Sequence, residues 1–481
     1  MSYDFCVIGA GPGGYVAAIR AGQLGLKTAI IEREYFGGVC LNVGCIPSKA
    51  LISASHFFHR IHEDAPEMGI VASGVKLDMA QLQKWKQSVC DRMAGGVEQL
   101  LKGNKVEILR GEASFKSKDE LVVKTKDGEQ TVRAKNFVVA TGSRPVQIPG
   151  FEFDEKWICS STGALALSEL PKKVVVIGGG YIGLELGGML SQLGTHVTVL
   201  EAADEILKGV VDREAAQVVA RRLKKNGVEV LLNVKAKSCA KTKSGVEVVY
   251  QAASGEQKLA ADRVFVTVGR RPNSDQMNLK GIGLKFDDKG FLVVDPQRRT
   301  NLPGIFAIGD IAGNPMLAHK ASYEGVLVAE VAAGKNRAYD VKTVPAVIFT
   351  EPEIASAGMT EDEARAQGHT DLKVAKFPFA ANGRAVSLMS TDGFVKMVAD
   401  AKTHVLLGVT IVGPEASNLI SEAALAIEMG ARLEDVALTI HPHPTLGETM
   451  MEAAEATLGH AIHVIQKPLS RSAPSGPRAQ A

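Results

Sequence analysis

Phe5-Cys6-Val7-Ile8-Gly9-Ala10-Gly11-Pro12-Gly13-Gly14 is a short apolar strand that breaks into a glycine-rich turn. A helical run from Tyr15 to Leu24 follows and stops at Gly25, and Thr28-Ala29-Ile30-Ile31 reads as a second strand ending at Glu32. The same events recur further on. Val174-Val175-Val176-Ile177 leads into Gly178-Gly179-Gly180-Tyr181-Ile182-Gly183, then a helix to Leu193 and Gly194, then Val197-Thr198-Val199-Leu200 and Glu201. The first glycines are 178 − 9 = 169 residues apart, and the acids are 201 − 32 = 169 apart. A single G-x-G-x-x-G is a common turn. Two complete strand–turn–helix–strand–acid units at one spacing predict two dinucleotide-binding modules.

Each position has a mechanical reason. Gly9 and Gly178 make the tight turn, Gly11 and Gly180 let backbone approach a pyrophosphate, and Gly14 and Gly183 pack helix on strand. The helix N-terminus attracts the anion, and Glu32 and Glu201 stand where a ribose presents its hydroxyls. Ala202-Ala203-Asp204-Glu205 follows Glu201 with no arginine to hold a 2′-phosphate, so the second module reads as an NAD site rather than an NADP site.

The rest of the chain fits an enzyme of several domains. Its 481 residues suggest three or four of them. Lys+Arg 55 against Asp+Glu 53 leaves a net charge of +2, which argues against nucleic acid as a partner. Glycine is in excess, 49 residues, as many strand-to-helix turns would require. No apolar run is long enough for a membrane span, and the start of the chain has no signal-like segment, so a cytoplasmic location is expected.

Phe137-Val138-Val139-Ala140-Thr141-Gly142-Ser143-Arg144-Pro145 is echoed by Val264-Phe265-Val266-Thr267-Val268-Gly269-Arg270-Arg271-Pro272, each a strand leaving a nucleotide domain. Residues 112–133 read as a β-hairpin appended to the first module. Strands at 394–399 and 405–412 and helices at 416–429 and 446–458 predict an α+β segment after residue 341. The last stretch, rich in Pro, Ser and Arg, is expected to be disordered.

Six cysteines are too few for a disulfide scaffold, and only Cys40 and Cys45 are close. They begin eight residues after Glu32, inside the first module. On a helix they would be about 7.5 Å apart along the axis, too far for a bridge, so a bridge needs a distorted turn that Gly44 could supply. Pro47 suits a helix's first turn, and a helix over 48–61 would put Cys45 near its N-terminus, where a thiolate is stabilised. A redox disulfide is the preferred reading, with two free thiols or half a metal site as alternatives. No other Cys or His cluster supplies ligands at a familiar spacing, so no metal is expected. A dithiol supplies electrons and protons while NAD accepts a hydride, so a flavin between them makes the first cofactor FAD.

In His441-Pro442-His443-Pro444-Thr445-Leu446-Gly447-Glu448, spacing alone favours a stiff loop with a Thr445/Glu448 capping box. The functional alternative pairs one imidazole with Glu448 as a proton acceptor for a thiol. His56, His59 and His62 read as a solvated or interfacial helix face rather than a metal site.

With Gly37-Gly38-Val39-Cys40-Leu41-Asn42-Val43-Gly44-Cys45-Ile46-Pro47-Ser48-Lys49 as its most specific stretch, the chain over roughly residues 3–465 resembles the pyridine nucleotide–disulfide oxidoreductases. Within that family it is most similar to the branch that oxidises dihydrolipoyl groups. The resemblance implies an α/β fold with two Rossmann-like dinucleotide-binding domains and an α+β C-terminal dimerisation domain. The implied bounds are 1–145 for FAD (first part), 146–270 for NAD, 271–342 for the return to the FAD domain, 343–465 for the dimer interface and 466–481 for the tail.

It also implies roles. Cys45 faces the flavin and Cys40 exchanges with substrate, while Lys49 lies near the flavin's reactive nitrogen with Glu185 as its ion-pair partner. FAD contacts are implied for Gly9, Gly11, Gly14, Glu32, Lys49, Gly111, Thr141, Gly142, Ser143, Asp310, Met316, Ala318 and His319. Those to NAD are Gly178, Gly180, Tyr181, Ile182, Gly183, Glu201, Val234 and Gly269, with Tyr181 covering the nicotinamide pocket. His443 and Glu448 match an acid–base pair supplied by the other subunit of a homodimer, which overturns the capping-box preference. Partners implied are lipoyl-domain proteins and the acyltransferase core of a 2-oxoacid dehydrogenase or a glycine cleavage complex. Glutathione reductase is set aside for its NADP-binding arginines. Mercuric reductase and the large thioredoxin reductases are set aside for their C-terminal redox residues, since the last cysteine here is Cys239. Pro442 and Gly447 depart from the family's usual residues without touching the reacting groups.

Overall fold

A computed structural model describes residues 1–466, so the tail expected to be disordered lies almost wholly outside the described residues. The described chain packs as two units, Met1–Val210 with Leu223–Val341, and Val211–Arg222 with the described residues from Lys342 on.

In the first unit, β1 (Ser2–Ile8), α1 (Pro12–Gln23) and β2 (Thr28–Glu32) form the first strand–turn–helix–strand unit. Next come α2 (Gly38–Asn42), α3 (Cys45–Glu67), α4 (Met79–Gly103), β3 (Glu107–Arg110), β4 (Glu112–Ser117), β5 (Glu120–Thr125) and β6 (Gly128–Val139). The sheet runs β3-β2-β1-β6-β5-β4. β1 pairs in parallel with both β2 and β6, Val7 lying opposite Ile30 and Val138.

The near-continuous apolar run of β1 follows from burial on both faces. Phe5 and Val7 enter one core with Ala17 of α1, while Cys6 and Ile8 enter another with Phe115 and Phe137. The expected hairpin over 112–133 is less separate than the sequence suggests. Its last strand is the start of the long β6, which turns from antiparallel pairing with β5 to parallel pairing with β1.

β7 (Ser143–Pro145) then leaves the sheet, and the second module follows: β8 (Ile158–Cys159), α5 (Ser161–Ala164), β9 (Lys173–Ile177), α6 (Tyr181–Gln192), β10 (His196–Leu200), α7 (Arg213–Lys225) and β11 (Glu229–Leu231). β12 (Lys235–Lys241), β13 (Val246–Ala252) and β14 (Gly255–Ala261) make an antiparallel sheet before β15 (Arg263–Val266). The parallel sheet is ordered β11-β10-β9-β15-β8. β16 (Arg270–Pro272) pairs antiparallel with β7, so the two echoed motifs hydrogen-bond to each other.

β17 (Ile305–Ala307) returns to β6, and α8 (Ala318–Ala332) lies on α1. That approach depends on glycine. A Cβ on Gly325 would come within 2.5 Å of the Gly13 carbonyl oxygen.

The second unit has the five-stranded sheet β18 (Ala346–Ile348), β19 (Glu353–Gly358), β22 (Leu406–Gly413), β21 (Phe394–Asp400) and β20 (Leu372–Pro378), in that spatial order. Its helices are α9 (Glu361–Ala366), α10 (Gly383–Ser387), α11 (Ala416–Met429), α12 (Leu433–Ala437) and α13 (Glu448–Leu458). All its strand pairs are antiparallel, and Met397, Ile411, Ile420 and Met450 meet in one core. Helix α13 starts two residues later than the expected 446. Among the described residues no helix is long and apolar enough to cross a membrane.

Candidate active site

The two glycine turns match closely. Gly9 has φ +99° and Gly178 has φ +103°, backbone that a side chain would strain. A Cβ on Gly14 would lie 1.9 Å from the Gly9 oxygen, and one on Gly183 would lie 2.3 Å from the Gly178 oxygen. At Gly11 and Gly180, by contrast, nothing stands within 4 Å of where a Cβ would be. These are the N-caps of α1 and α6, and neither helix has a side-chain cap. Their first N–H groups therefore point at a place an anion can occupy.

Both strand-end acids are fixed by backbone. Glu32 accepts from the N–H of Ala10 and of Glu34, each at 2.7 Å. Glu201 accepts from Gly179 at 2.6 Å and from Ala203 at 2.7 Å. Each carboxylate keeps lone pairs for ribose hydroxyls.

A cleft in the first module is lined by Gly9, Glu32, Gly111, Thr141 and Met277, among others. The Thr141 hydroxyl is buried there with no hydrogen-bond partner, a cost that a polar ligand would remove. The Gly111 N–H is spent on the Glu32 carbonyl at 2.9 Å, and the Gly142 carbonyl accepts from Asn273 at 3.0 Å. Ser143 donates to Asp310 at 2.5 Å. Asp310 sits in the 3-10 turn Gly309–Ala312, and Met316, Ala318 and His319 gather at the N-terminal end of α8. These residues fit a long dinucleotide with a polyol segment.

In the second module, Tyr181 and Ile182 open α6, and Val234 donates to the Glu201 carbonyl at 3.0 Å. Gly269 follows β15 at φ +130°. Burial raises the Tyr181 phenol's pKa, against the pull of the Arg270 charge.

The cysteine segment is docked on the first glycine turn. Gly37 donates to the Ala10 carbonyl at 2.8 Å, and a Cβ on Gly38 would come within 2.6 Å of the Gly11 Cα. α2 carries Cys40 and ends at Asn42; after Val43 and Gly44, Cys45 is the first residue of α3. The helix thus begins three residues before the expected 48. A Cβ at Gly44 would meet the Val39 carbonyl oxygen at 2.9 Å, so the turn between the cysteines admits only glycine comfortably.

Both cysteines are thiols here and their side chains hydrogen-bond. The bond from Cys40, with the Lys49 charge, holds the Cys45 thiol down to about 7 despite burial. The same bond, with burial, drives the Cys40 thiol far up. One turn along α3, the Lys49 ammonium pairs with the buried Glu185 carboxylate of α6 at 2.7 Å. First and second modules are thereby joined beside the thiols.

In the second unit the two histidines differ in partners and exposure. His441 is turned inward, to Glu422 at 3.0 Å and the Thr439 carbonyl at 2.8 Å. His443 Nδ1 meets Glu448 Oε1 at 2.8 Å, and its side chain is 79% exposed, so Nε2 faces outward. The expected capping box is only half made. Glu448 Oε2 accepts from the Thr445 N–H at 2.8 Å, but the Thr445 hydroxyl donates to Pro442 instead. Burial works against the Glu448 charge, yet the Thr445 N–H and His443 outweigh it and hold the carboxyl below its ordinary range.

Among the described residues no group of three His, Cys, Asp or Glu could hold a metal ion. His56, His59 and His62 lie along α3, with His62 edge-on to Phe58.

Two residues were missed from sequence. Glu324, fully buried on α8, accepts from the Gly309 N–H at 2.7 Å and pairs with Arg298 and Lys320, each at 3.1 Å, fixing the turn that carries Asp310. Its signal was the spacing of four from Lys320. Arg270 donates to the Ser143 hydroxyl at 2.8 Å and to the Ser143 carbonyl at 2.7 Å. Its signal was the echoed Gly-Arg-Arg-Pro after β15.

A family profile described as pyridine nucleotide-disulphide oxidoreductase matches residues 3–325, and the dimerisation domain of that family matches residues 344–454. A dihydrolipoyl dehydrogenase of Geobacillus stearothermophilus is 54% identical over 461 residues, 96% of this chain and 97% of that protein. One from Bacillus subtilis is 51% identical over 465 residues, 96% of this chain and 98% of the relative. Among solved structures, LpdA from Mycobacterium tuberculosis superposes with a TM-score of 0.86 at 27% identity, covering 94% of this chain and 99% of its own. The flavoprotein disulfide reductase RclA from Escherichia coli gives 0.83 at 27% identity, covering 93% and 98%.

Proposed function

The chain belongs to the pyridine nucleotide-disulphide oxidoreductase family, and on that premise we propose that it oxidises dihydrolipoyl groups to lipoyl with NAD as final acceptor. It is an FAD-containing enzyme with a dimerisation domain, and it works as a homodimer. The domains run 1–145 and 271–342 for FAD, 146–270 for NAD and 343–465 for the dimer interface. One observation carries the reading: Cys40 of α2 and Cys45, first residue of α3, are paired beside the Lys49–Glu185 bridge, with Cys45 the more acidic thiol of the two.

That asymmetry directs the exchange. In the oxidised enzyme Cys40 and Cys45 share a disulfide. A substrate thiol gives its proton to His443 of the partner subunit, whose charge Glu448 stabilises, and the thiolate attacks the Cys40 sulfur. A new S–S bond forms to substrate, the Cys40–Cys45 bond breaks, and Cys45 leaves as the thiolate because the more acidic thiol leaves faster. The second substrate thiol then attacks its own sulfur in the mixed disulfide, releasing lipoyl and a Cys40 thiol. Two electrons and the protons are now on the enzyme.

Glu32, Thr141, Ser143 and Asp310 would hold FAD, which would supply a carrier able to take electrons from a thiolate and pass a hydride to NAD. Glu201 and the Gly178 turn would orient NAD, and the Lys49–Glu185 pair spans the two modules beside the thiols. The protein substrate is a lipoyl domain, with docking to an acyltransferase core of a 2-oxoacid dehydrogenase or service to a glycine cleavage complex. A reducing compartment such as the cytoplasm suits the four scattered cysteines, all thiols.

The test is NADH formation with dihydrolipoamide or reduced glutathione offered in turn, and NADH consumption with mercuric ion offered as acceptor. Turnover with dihydrolipoamide alone is expected. Equal turnover with glutathione would overturn the substrate assignment.

A further inference from the structure

Three chain segments meet at Ser143. β7 begins there as the chain leaves the first module, β16 begins at Arg270 as it leaves the second, and the turn carrying Asp310 returns to the first. β7 and β16 pair antiparallel with Arg270 opposite Pro145 and Pro272 opposite Ser143, which puts Arg270 and Ser143 on one diagonal. Diagonal neighbours are within reach of a long side chain. The guanidinium uses that reach twice, donating from Nε to the Ser143 hydroxyl at 2.8 Å and from Nη2 to the Ser143 carbonyl at 2.7 Å.

A serine hydroxyl has one proton to give. With Arg270 donating into its oxygen, that proton goes to Asp310 Oδ2 at 2.5 Å. The chain runs from a permanent cation through a hydroxyl to a carboxylate, and each bond strengthens the next. Ser143 is buried, so neither bond competes freely with water. A direct Arg–Asp fork would occupy both carboxylate oxygens. Routing the charge through serine takes one acceptor position of about four and leaves the others to a ligand.

We infer that Arg270 is a positioning residue for FAD: it clamps Ser143, and through Ser143 it fixes the Asp310 carboxylate that receives the cofactor's polyol hydroxyls. This rests on the functional reading in which Asp310 holds FAD. Arg270 directly follows Gly269, assigned above to the NAD side, so the clamp is anchored in the second module and acts on the cofactor of the first.

The test is the rate of FAD release from full-length holoenzyme, read by flavin fluorescence, for Arg270→Met, Ser143→Ala and the double variant. Arg270→Met should release FAD about tenfold faster or more, the scale of one lost charged hydrogen bond. Ser143→Ala, which also removes a hydroxyl assigned to FAD itself, should release it at least as fast, and the double variant should be no faster than Ser143→Ala, because Arg270 acts through Ser143. Arg270→Lys keeps the charge but not the two-pronged fork, and should fall between wild type and Arg270→Met. If Arg270→Met does not fold, Arg270→Lys replaces it in the same cycle, again with no added effect on top of Ser143→Ala. Wild-type release from the arginine variants, or effects that multiply, would overturn the clamp. A wild-type protein that takes up no FAD overturns the functional reading and the clamp together, so the two failures are told apart.

Discussion

Glu32 and Glu201 use their carboxylates in the same way, each accepting from the backbone N–H of the residue after the first glycine and from the N–H two residues beyond itself. The repeat is therefore one of chemistry as well as spacing. Both acids are pinned by backbone donors, so their remaining lone pairs are aimed before a ribose arrives. A pinned carboxylate also repels a 2′-phosphate. NAD should be preferred over NADP by at least about 100-fold in kcat/KM, roughly 2.7 kcal/mol. Steady-state rates with the two cofactors check this, and equal values would remove the argument.

Glycines of α6 should separate cleanly on substitution. A Cβ at Gly183 would meet the Gly178 carbonyl at 2.3 Å and the Thr267 hydroxyl at 2.6 Å, neither of which can yield without moving the turn. Gly183→Ala should cost about 1–3 kcal/mol and weaken NAD binding. At Gly187 the nearest atom is Val197 Cγ1 at 3.2 Å, a side chain that can shift. Gly187→Ala should be close to neutral, because helix propensity returns about 0.5–1 kcal/mol. Thermal unfolding with and without NAD measures both. A tolerated Gly183→Ala would show that the turn is looser than its contacts imply.

The Cys45 thiol should titrate below an ordinary cysteine. Its pKa is lowered, so in the dithiol enzyme the thiolate is present above about pH 7 and is lost as pH falls through that value. The first cause is the bond from Cys40, so Cys40→Ala should move the midpoint back up toward 9.0. Ultraviolet thiolate absorbance follows the titration. Cys40→Ser, which keeps a donor, should still show thiolate–flavin charge-transfer absorption at neutral pH, and Cys45→Ser should not. The reverse pattern would exchange the two roles.

What was legible in the sequence was what depends on local chain geometry. The glycine turns, the strand-end acids and the cysteine pair are each set by residues within about 30 positions of one another, and their spacing carried their meaning. The histidines were harder. Spacing of three from Thr445 to Glu448 suits a capping box, but the helix begins at Glu448 itself, so one carboxylate oxygen takes the Thr445 N–H while the other reaches back to His443.

Contacts between distant segments were hidden. The echoed motifs at 137–145 and 264–272 were visible as alike, but nothing local says that their ends pair, or that Arg270 reaches Ser143. Glu324 was nearly as hidden: its spacing of four from Lys320 hinted at a pair, but a charged residue on a helix is ordinarily solvated and only the fold buries it.

The catalytic base should act across the dimer. Cys40 and Cys45 belong to the first unit and His443 to the second, which carries the family's dimerisation domain. A two-fold interface sets the same patch of each subunit against its mate, so a dimer would have two equivalent composite sites. Co-expressing Cys45→Ser and His443→Gln chains tests this, because each parent homodimer lacks an essential group at both sites. In a mixed dimer, one site inherits both lesions and the other inherits neither. Random pairing makes about half of the dimers mixed, so roughly a quarter of all sites should turn over. Recovery near that level, with mixed dimers isolated by two different tags, supports the shared site. Activity no higher than that of the parents, in dimers shown to be mixed, would place His443 and Cys45 in one subunit's site and end the proposal.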